Sequence, residues 1–563
     1  MMKKTIFLTI LFMSIFMTST IIYADTLLPK VIETTIGSIP EGYKIIPESV
    51  KMSDDMRQIA FAAYSDSTHN IVQTNNYNSP VYYAVQPNMP IWDLYSTKCA
   101  YIAYKNKESA VIAVNDKIID NIDNADNFIF NIFGSRYACR AQKNDRQFVI
   151  VNGKPGKSYD GILIKDNFYF SPDGERLIYV AVKNNSCVAV VDGQEEPQAF
   201  TLIENARFSL DSTHYAYKGR IKGSTMSGKE KWCVVKDGQA GNIYDHIYDL
   251  IFSNDSKHLA YTAIKDRKMV LVFDGHEMAP HDRVGLPIFS FNAKAFAYAY
   301  ADKDKWYVLL NDKEMGPFDK IFKFNFSHDS KRNSLIAIND DAWFCTVDGV
   351  KGPDFQKMIE SFKFSLDSSR YVYVGADETG ARVVTDGKRS QKYLAVGEPY
   401  FSPDSKHLVY RALRPGEESW ITVLDGKESS IEYYGIGKYQ FSPDSKHLAY
   451  PATDSTERSL MIVDGVEQCS DQNFKILGDP TFSPDGNYIV YHARAGDEKW
   501  HLIVNGQVLP EVYGGFYKGT PILFDSPTQF HTIGIKPGGT EFVVIDVDIP
   551  ETLKLTSGLN NTL

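Results

Sequence analysis

The 563-residue sequence contains no GxSxG, no HExxH, no CxxC and neither GxxxxGK[ST] nor GxGxxG. Their absence removes the local signatures of a serine hydrolase, a zinc peptidase, a thiol redox pair and a phosphate-cradling loop. No long run of one charge sign occurs, and the formal net charge is −10. That excludes the clustered basic face of a nucleic-acid binder and a polybasic membrane anchor. Beyond the first 24 residues no stretch approaches eighteen consecutive apolar residues, so no membrane span is expected there. Cysteine is scarce: Cys99, Cys139, Cys187, Cys233, Cys345 and Cys469 follow no fixed spacing. Several lie in apolar runs with a strand pattern, which favours buried thiols over bridges.

The opening MMKKTIFLTILFMSIFMTSTIIYA has two lysines, an apolar stretch and a small residue at Ala24. It is the pattern of a cleaved secretory signal peptide over residues 1–24, and it places the mature protein in the periplasm or outside the cell. An uncleaved membrane anchor is the alternative. The chain is too long for one ordinary core, so several domains or a repeat array are expected.

The repeat is plain. FSPDSKHLVY begins at Phe401 and FSPDSKHLAY at Phe441, with relatives at Phe170, Phe208, Phe252, Phe289, Phe326, Phe364 and Phe482. Weaker copies start at Met52, Tyr95 and Phe130, and a degenerate one lies near Leu523, making about thirteen units. In phase with them runs an apolar segment ending in Asp-Gly or Asn-Gly, as in VVDG at Val190 and VNGQ at Val504, followed by an aromatic step such as YDGI at Tyr159 or YDHI at Tyr244. The run ending at the anchor Phe predicts strand one, Ser-Pro-Asp-Ser/Gly a tight turn, HLAYxA strand two and WxVVxDG strand three. The YDxI step is assigned to strand four. Four short antiparallel strands in a period of about 40 residues describe one blade of a β-propeller.

FSPDSKHLAY and FSPDGERLIY, each followed by VVDG-like turns, resemble the WD-repeat-like, TolB-like propeller repeats of bacterial envelope proteins. The resemblance covers residues from about 40 to 548 and implies fold more than activity. Thirteen blades exceed the usual four to eight. The expected fold class is therefore all-β with tandem β-propellers of four-stranded antiparallel blades, 6+7 or 7+6. They would occupy residues 25–283 and 284–550, with the boundary alternatively near 320 and a C-terminal tail over 551–563. One oversized ring is the alternative. TEFVVIDV around Phe542 matches strand three without a strand four, and YKII at Tyr43 is expected to supply the missing outer strand.

Chemistry-bearing residues recur in phase. His214, His258, His407 and His447 share position seven of the decapeptide, and Asp173, Asp255, Asp404, Asp444 and Asp485 share position four. One structural role repeated outweighs several unrelated sites, and no turn carries the paired carboxylates of a calcium loop. Trp232, Trp306, Trp343, Trp420 and Trp500 each precede a strand-three turn by five residues, which suits packing between blades. No catalytic residue, cofactor or metal ligand is assigned. One departure stands out: the longer basic loop from Lys218 to Trp232, where Arg220, Lys222, Lys229 and Lys231 are candidates for docking an acidic partner. These features point to an exported, non-enzymatic binding or scaffolding propeller, monomeric, with a protein, small-molecule or glycan ligand and no nucleic acid. The rival is a propeller enzyme, a hydrolase or lyase acting on glycosides or polysaccharide at an axial site.

Overall fold

A computed structural model describes residues 28–75, 77–221, 230–469, 474–516, 521–556 and 558–559. Residues 1–24, expected as a signal peptide, and Lys222 and Lys229 lie outside the described residues. The described residues are all-β: thirteen antiparallel sheets follow one another along the chain, joined by short turns, with two short 3₁₀ segments, and none of the described helices is long and apolar enough to cross a membrane.

Blade 4 shows the unit. Its strands are Gly161–Phe170, Leu177–Lys183, Ser186–Val191 and Gln194–Phe200, paired in that order. Strand two is buried at Leu177, Ile178, Tyr179, Val180 and Ala181, because one sheet face meets the preceding blade and the other the following one. Strand four starts directly after the Asp-Gly turn. The aromatic of the YDxI step is the last residue to pair with strand three, as in the Tyr159–Gln147 and Phe355–Trp343 bridges, whereas its Ile opens strand one of the next blade. The step is thus the crossover between blades, not a whole strand. Its ring lies over a small strand-two residue: a Cβ at Gly375 would meet the Phe355 ring at 2.4 Å.

Blade packing runs around one cycle. Buried apolar clusters join blades 4 and 5 (Ile178, Val180, Tyr217, Val235), 12 and 13 (Tyr488, Val490, Val543, Ile545), and 13 and 1 (Ile533, Phe542, Ile59, Phe61). Each other neighbouring pair shares a cluster of the same kind. The thirteen blades form a ring, the single-ring alternative named above. A division near residue 283 has its natural place between blades 6 and 7. There the buried cluster, Leu271, Val284, Tyr298 and Tyr300, is the smallest among the described residues.

Closure uses both ends of the chain. The last sheet is Gly515–Phe516 with Leu523–Ser526, then Gln529–Ile535, Glu541–Asp548 and finally Lys30–Ser38. The outer strand is therefore residues 30–38, in register with 541–548 (Thr34 opposite Val544), and Lys536 pairs with Glu33 across it. The expected donor, Tyr43 with its YKII, is displaced: Lys44–Ile45 starts blade 1 instead. The tail also docks, through Leu555 N–H to the Asn487 carbonyl and Leu559 N–H to the Lys446 carbonyl, both 2.9 Å.

The decapeptide joins blades. Its Ser at position two hydrogen-bonds the turn Asp (Ser209–Asp211, 2.6 Å; Ser402–Asp404, 2.6 Å). The N–H of that Asp then donates to the position-five Ser of the next blade: Asp173 to Ser212 (2.9 Å), Asp211 to Ser256 (2.9 Å), Asp329 to Ser368 (3.0 Å), Asp404 to Ser445 (3.0 Å). That Ser is left-handed, with φ of 65° at Ser212 and 66° at Ser405. Gly486 takes the same place and conformation, and a Cβ there would sit 2.5 Å from Asp444. The alignment places blade 2 at Trp92, not Tyr95: Ser96 has φ 61° and receives the Asp55 N–H at 3.2 Å.

A second latch ties the two turns of a blade. His214, His258, His407 and His447 place Nδ1 2.6–2.7 Å from Oδ2 of Asp237, Asp274, Asp425 and Asp464. The other oxygen of each Asp accepts the next backbone N–H, as Leu448 N to Asp464 at 2.9 Å. Arg176, Arg332 and Arg370 replace His in other blades and reach Asp192, Asp348 and Asp386. The recurrent His and Asp are thus structural, as their phase implies.

The turn carboxylates carry a pH dependence. Asp211 and Asp367 are held down to about 2, first by the hydroxyls of Ser209 and Ser365 and then by the N–H groups of Thr213 and Ser369. A folded pKa below the ~3.9 of free aspartate gives stabilisation present above that value and lost as pH falls toward 2. Tryptophan fluorescence is expected to be flat from neutrality to about pH 4 and to report unfolding below it. Replacing both residues by Asn should flatten that acid limb; an unchanged limb would contradict the assignment.

Candidate functional site

The first strands face the ring interior. Those of blades 1 and 2, 4 and 5, and 7 and 8 lie against one another, whereas fourth strands reach the second strand of the following blade. Loops between strands two and three share a rim with the YDxI crossovers; the decapeptide and Asp-Gly turns occupy the opposite rim.

The crossover rim has its own repeated latch. Asp160, Asp245 and Asp319 pair with a cation fourteen residues earlier, Arg146, Lys231 and Lys305. Lys231, a docking candidate by sequence, is therefore a member of the repeat. Arg220 is held by Glu230 at 2.8 Å and by the Thr201 hydroxyl at 3.1 Å, with its guanidinium over the Trp232 ring. The structure gives each of these two candidates an internal carboxylate partner. The tryptophans pack between blades: Trp232 with blade 6, Trp306 with blade 8, Trp343 with blade 9, Trp420 with blade 11 and Trp500 with blade 13. The thiols form no disulfide; burial raises Cys99 and Cys345 to about 12.

A cavity of about 980 Å³ opens on the inner wall at blades 4 and 5. Its floor is the first strand of blade 4, where register jumps between Leu163 and Phe168. Blades 3 and 5 bulge more modestly, between Asp126 and Ile129 and between Glu204 and Arg207. Left-handed residues, Asn127, Asp166 and Asn205, sit at the bulges with φ of 51°, 56° and 59°; Asn and Asp tolerate that conformation. The extra length turns Lys165, Asp166 and Tyr169 outward, and β-bulges commonly redirect side chains at functional positions.

Charged groups from strand two back the wall. Arg140 holds Asp126 through both arms and donates to the Ile162 carbonyl at 3.0 Å. Lys218, 7% exposed, lies 3.4 Å from Glu204 and 5.6 Å from the Trp232 ring centre. Arg207 donates to the Leu250 carbonyl at 2.7 Å, and Asn205 to Asp249 at 2.8 Å. The buried Asn167 gives its amide N–H groups to the Lys165 and Ile203 carbonyls at 2.9 and 3.2 Å. The arrangement is polar, charge-balanced and held rigid by blade-to-blade bonds. A smaller, apolar recess of about 340 Å³ lies further round, where Leu286, Ile288 and Phe322 meet Trp306.

Sequence reasoning passed over this wall, although its signal is present. Eleven positions separate Tyr159 from the anchor Phe170, against eight from Tyr244 to Phe252 and eight from Phe318 to Phe326. The three additional residues are the departure from the repeat that builds the cavity floor.

No protein-family model matches the chain, and no curated protein matches it. Among solved structures it is similar to the tricorn protease at 12% identity and TM-score 0.24, covering 81% of this chain and 56% of that one. It is similar to TolB from Acinetobacter baumannii at 14% identity and TM-score 0.20, covering 46% and 75%. The β-propeller domain of the Trilobed protease from Pyrococcus furiosus matches at 13% identity and TM-score 0.23, covering 47% and 96%. The chain thus spans just over half the length of the tricorn protease it matches.

Arg140 should matter for packing. Arg140→Met leaves Asp126 partly buried without its cation and is expected to cost about 1–3 kcal/mol in denaturant unfolding. Adding Asp126→Leu should recover part of that loss; a double variant as unstable as the sum would contradict the pairing.

Proposed function

We propose that this β-propeller protein is an exported, non-enzymatic binding module of the bacterial cell envelope, and that its ligand enters the cavity on the inner wall of blades 4 and 5. One observation carries the reading: this cavity of about 980 Å³ coincides with the three-residue lengthening of a first strand, a place where the inner wall departs from its repeat. The phased His and turn Asp side chains are engaged in holding the turns of each blade, which leaves them no free chemistry. The cavity offers outward Lys165, Asp166 and Tyr169 beside Arg207 and Asn205, a set that forms hydrogen bonds and stacks on a planar or sugar face. A protein segment or a glycan fits that chemistry.

The enzymatic alternative needs a carboxyl free to exchange a proton. Asp126 is gripped by Arg140, Glu204 faces Lys218 and Asp249 accepts from Asn205, so the exposed Asp166 is the carboxylate that reading would have to use. Export follows from the N-terminal segment: the mature protein recovered from the envelope fraction is expected to begin at Asp25. Immobilised protein should retain one specific component of envelope extract, protein or glycan, and lose it on Tyr169→Ala with Arg207→Ala. Retention of nothing specific, or retention indifferent to these changes, would sink the proposal.

A further inference from the structure

We propose that the seam closing the ring is a site for a divalent transition-metal ion such as Zn²⁺, held by His531 Nδ1 and the carboxylates of Asp525 and Asp546. His531 lies on the second strand of blade 13, with its side chain 4% exposed. Its Nε2 is 2.7 Å from the carbonyl oxygen of Asp55, in the first turn of blade 1. A carbonyl only accepts, so Nε2 carries the hydrogen. The other nitrogen, Nδ1, then faces Asp525 Oδ2 at 2.7 Å. In a neutral ring this sets a lone pair beside a carboxylate oxygen, two ligand atoms aimed at one point, and the contact needs positive charge there, which the Arg57 guanidinium supplies in this structure.

The conflict is particular to this histidine. In the repeat latches a neutral ring with its hydrogen on Nδ1 satisfies the Asp, because no carbonyl fixes Nε2 among the described contacts. At the seam, donation from Nε2 to a backbone carbonyl fixes the tautomer and aims Nδ1, the orientation seen for metal-bound imidazole. One ligand atom from each of Asp525, His531 and Asp546 lies within 4.8 Å of the others. Imidazole with two carboxylates suits a borderline divalent ion, with water completing the shell.

Arg57 of blade 1 now spans the group. Its guanidinium is 3.1 Å from Asp525, 2.9 Å from Asp546 and 3.2 Å from His531 Nδ1. It is 43% exposed and the carboxylates are 41% and 36% exposed, so the arm can swing to solvent and leave an open entry. Metal and Arg57 therefore compete for one cavity of negative charge. Because the ligands belong to blade 13 and the tautomer-fixing carbonyl to blade 1, occupancy stabilises the closed ring by mass action.

The test uses the full chain, stripped with chelator and titrated with ZnCl₂ near pH 7.5 by calorimetry and thermal melting. Wild type should bind one ion and melt higher with it; Arg57→Gln should bind roughly tenfold more tightly, having lost its competitor. Asp525→Asn with Asp546→Asn, and separately His531→Gln, should lose the site while keeping the circular dichroism of the parent. Co²⁺ should give the weak absorption of nitrogen and oxygen ligands, without the sulfur charge-transfer bands of thiolates. Zn²⁺ affinity equal in Arg57→Gln and in the ligand variants would overturn the proposal. So would a melting temperature indifferent to Zn²⁺.

Discussion

Among the described residues, seven blades finish their first turn with an atom supplied by the next: the N–H of the turn Asp or Asn donates to a serine hydroxyl one blade on. That bond takes a left-handed Ser at position five; Gly134, Gly174 and Gly486 keep the conformation without the hydroxyl, as do Met56 and Ala293. It also requires position two to hold the turn Asp, so Ser recurs at that place. The fidelity of FSPDSKHLAY follows from geometry imposed twice, once within a blade and once between blades. Where the chain closes, the relay is replaced by different chemistry. The Asp55 carbonyl receives His531 of blade 13, and Arg57 reaches two of that blade's carboxylates.

This constraint divides the molecule by role. One rim is consumed by joints and His–Asp or Arg–Asp latches, the other by cation–Asp pairs at the crossovers. More freedom is left to the inner wall, where the lengthened first strand of blade 4 exposes Lys165, Asp166 and Tyr169. The polar cavity at blades 4 and 5 and the apolar recess at blades 7 and 8 both lie there, and both are built from first-strand residues backed by strand two.

Much of this was legible in the residues. Blade number, the two turns and the structural role of His407 or Asp404 follow from phase, because a repeat reports local geometry directly. The closing strand was misplaced from 30–38 to Tyr43, since KVIETTIGS carries no turn signature and pairs only with a partner 500 residues away. Blade 2 was read three residues late because Trp92-Asp93 stands where Phe-Ser is usual. The choice between one ring and two was not legible either: it depends on which blades meet across the seam, and neighbouring interfaces look alike in sequence. Lys231 was singled out for its basic surroundings, while its repeat partner Asp245 was hidden in the crossover. The cavity was overlooked for the opposite reason, a three-residue lengthening that breaks no motif.

The central claim is that one continuous ring is sealed by the two ends of the chain. Thr34 and Val544 lie opposite each other in the closing sheet, so Thr34→Cys with Val544→Cys should cross-link within a single molecule on mild oxidation. Peptide mapping is expected to recover residues 34 and 544 in one disulfide from monomeric protein. If residue 34 remains a free thiol in folded protein, or bonds only between molecules, the ring is not closed in this way.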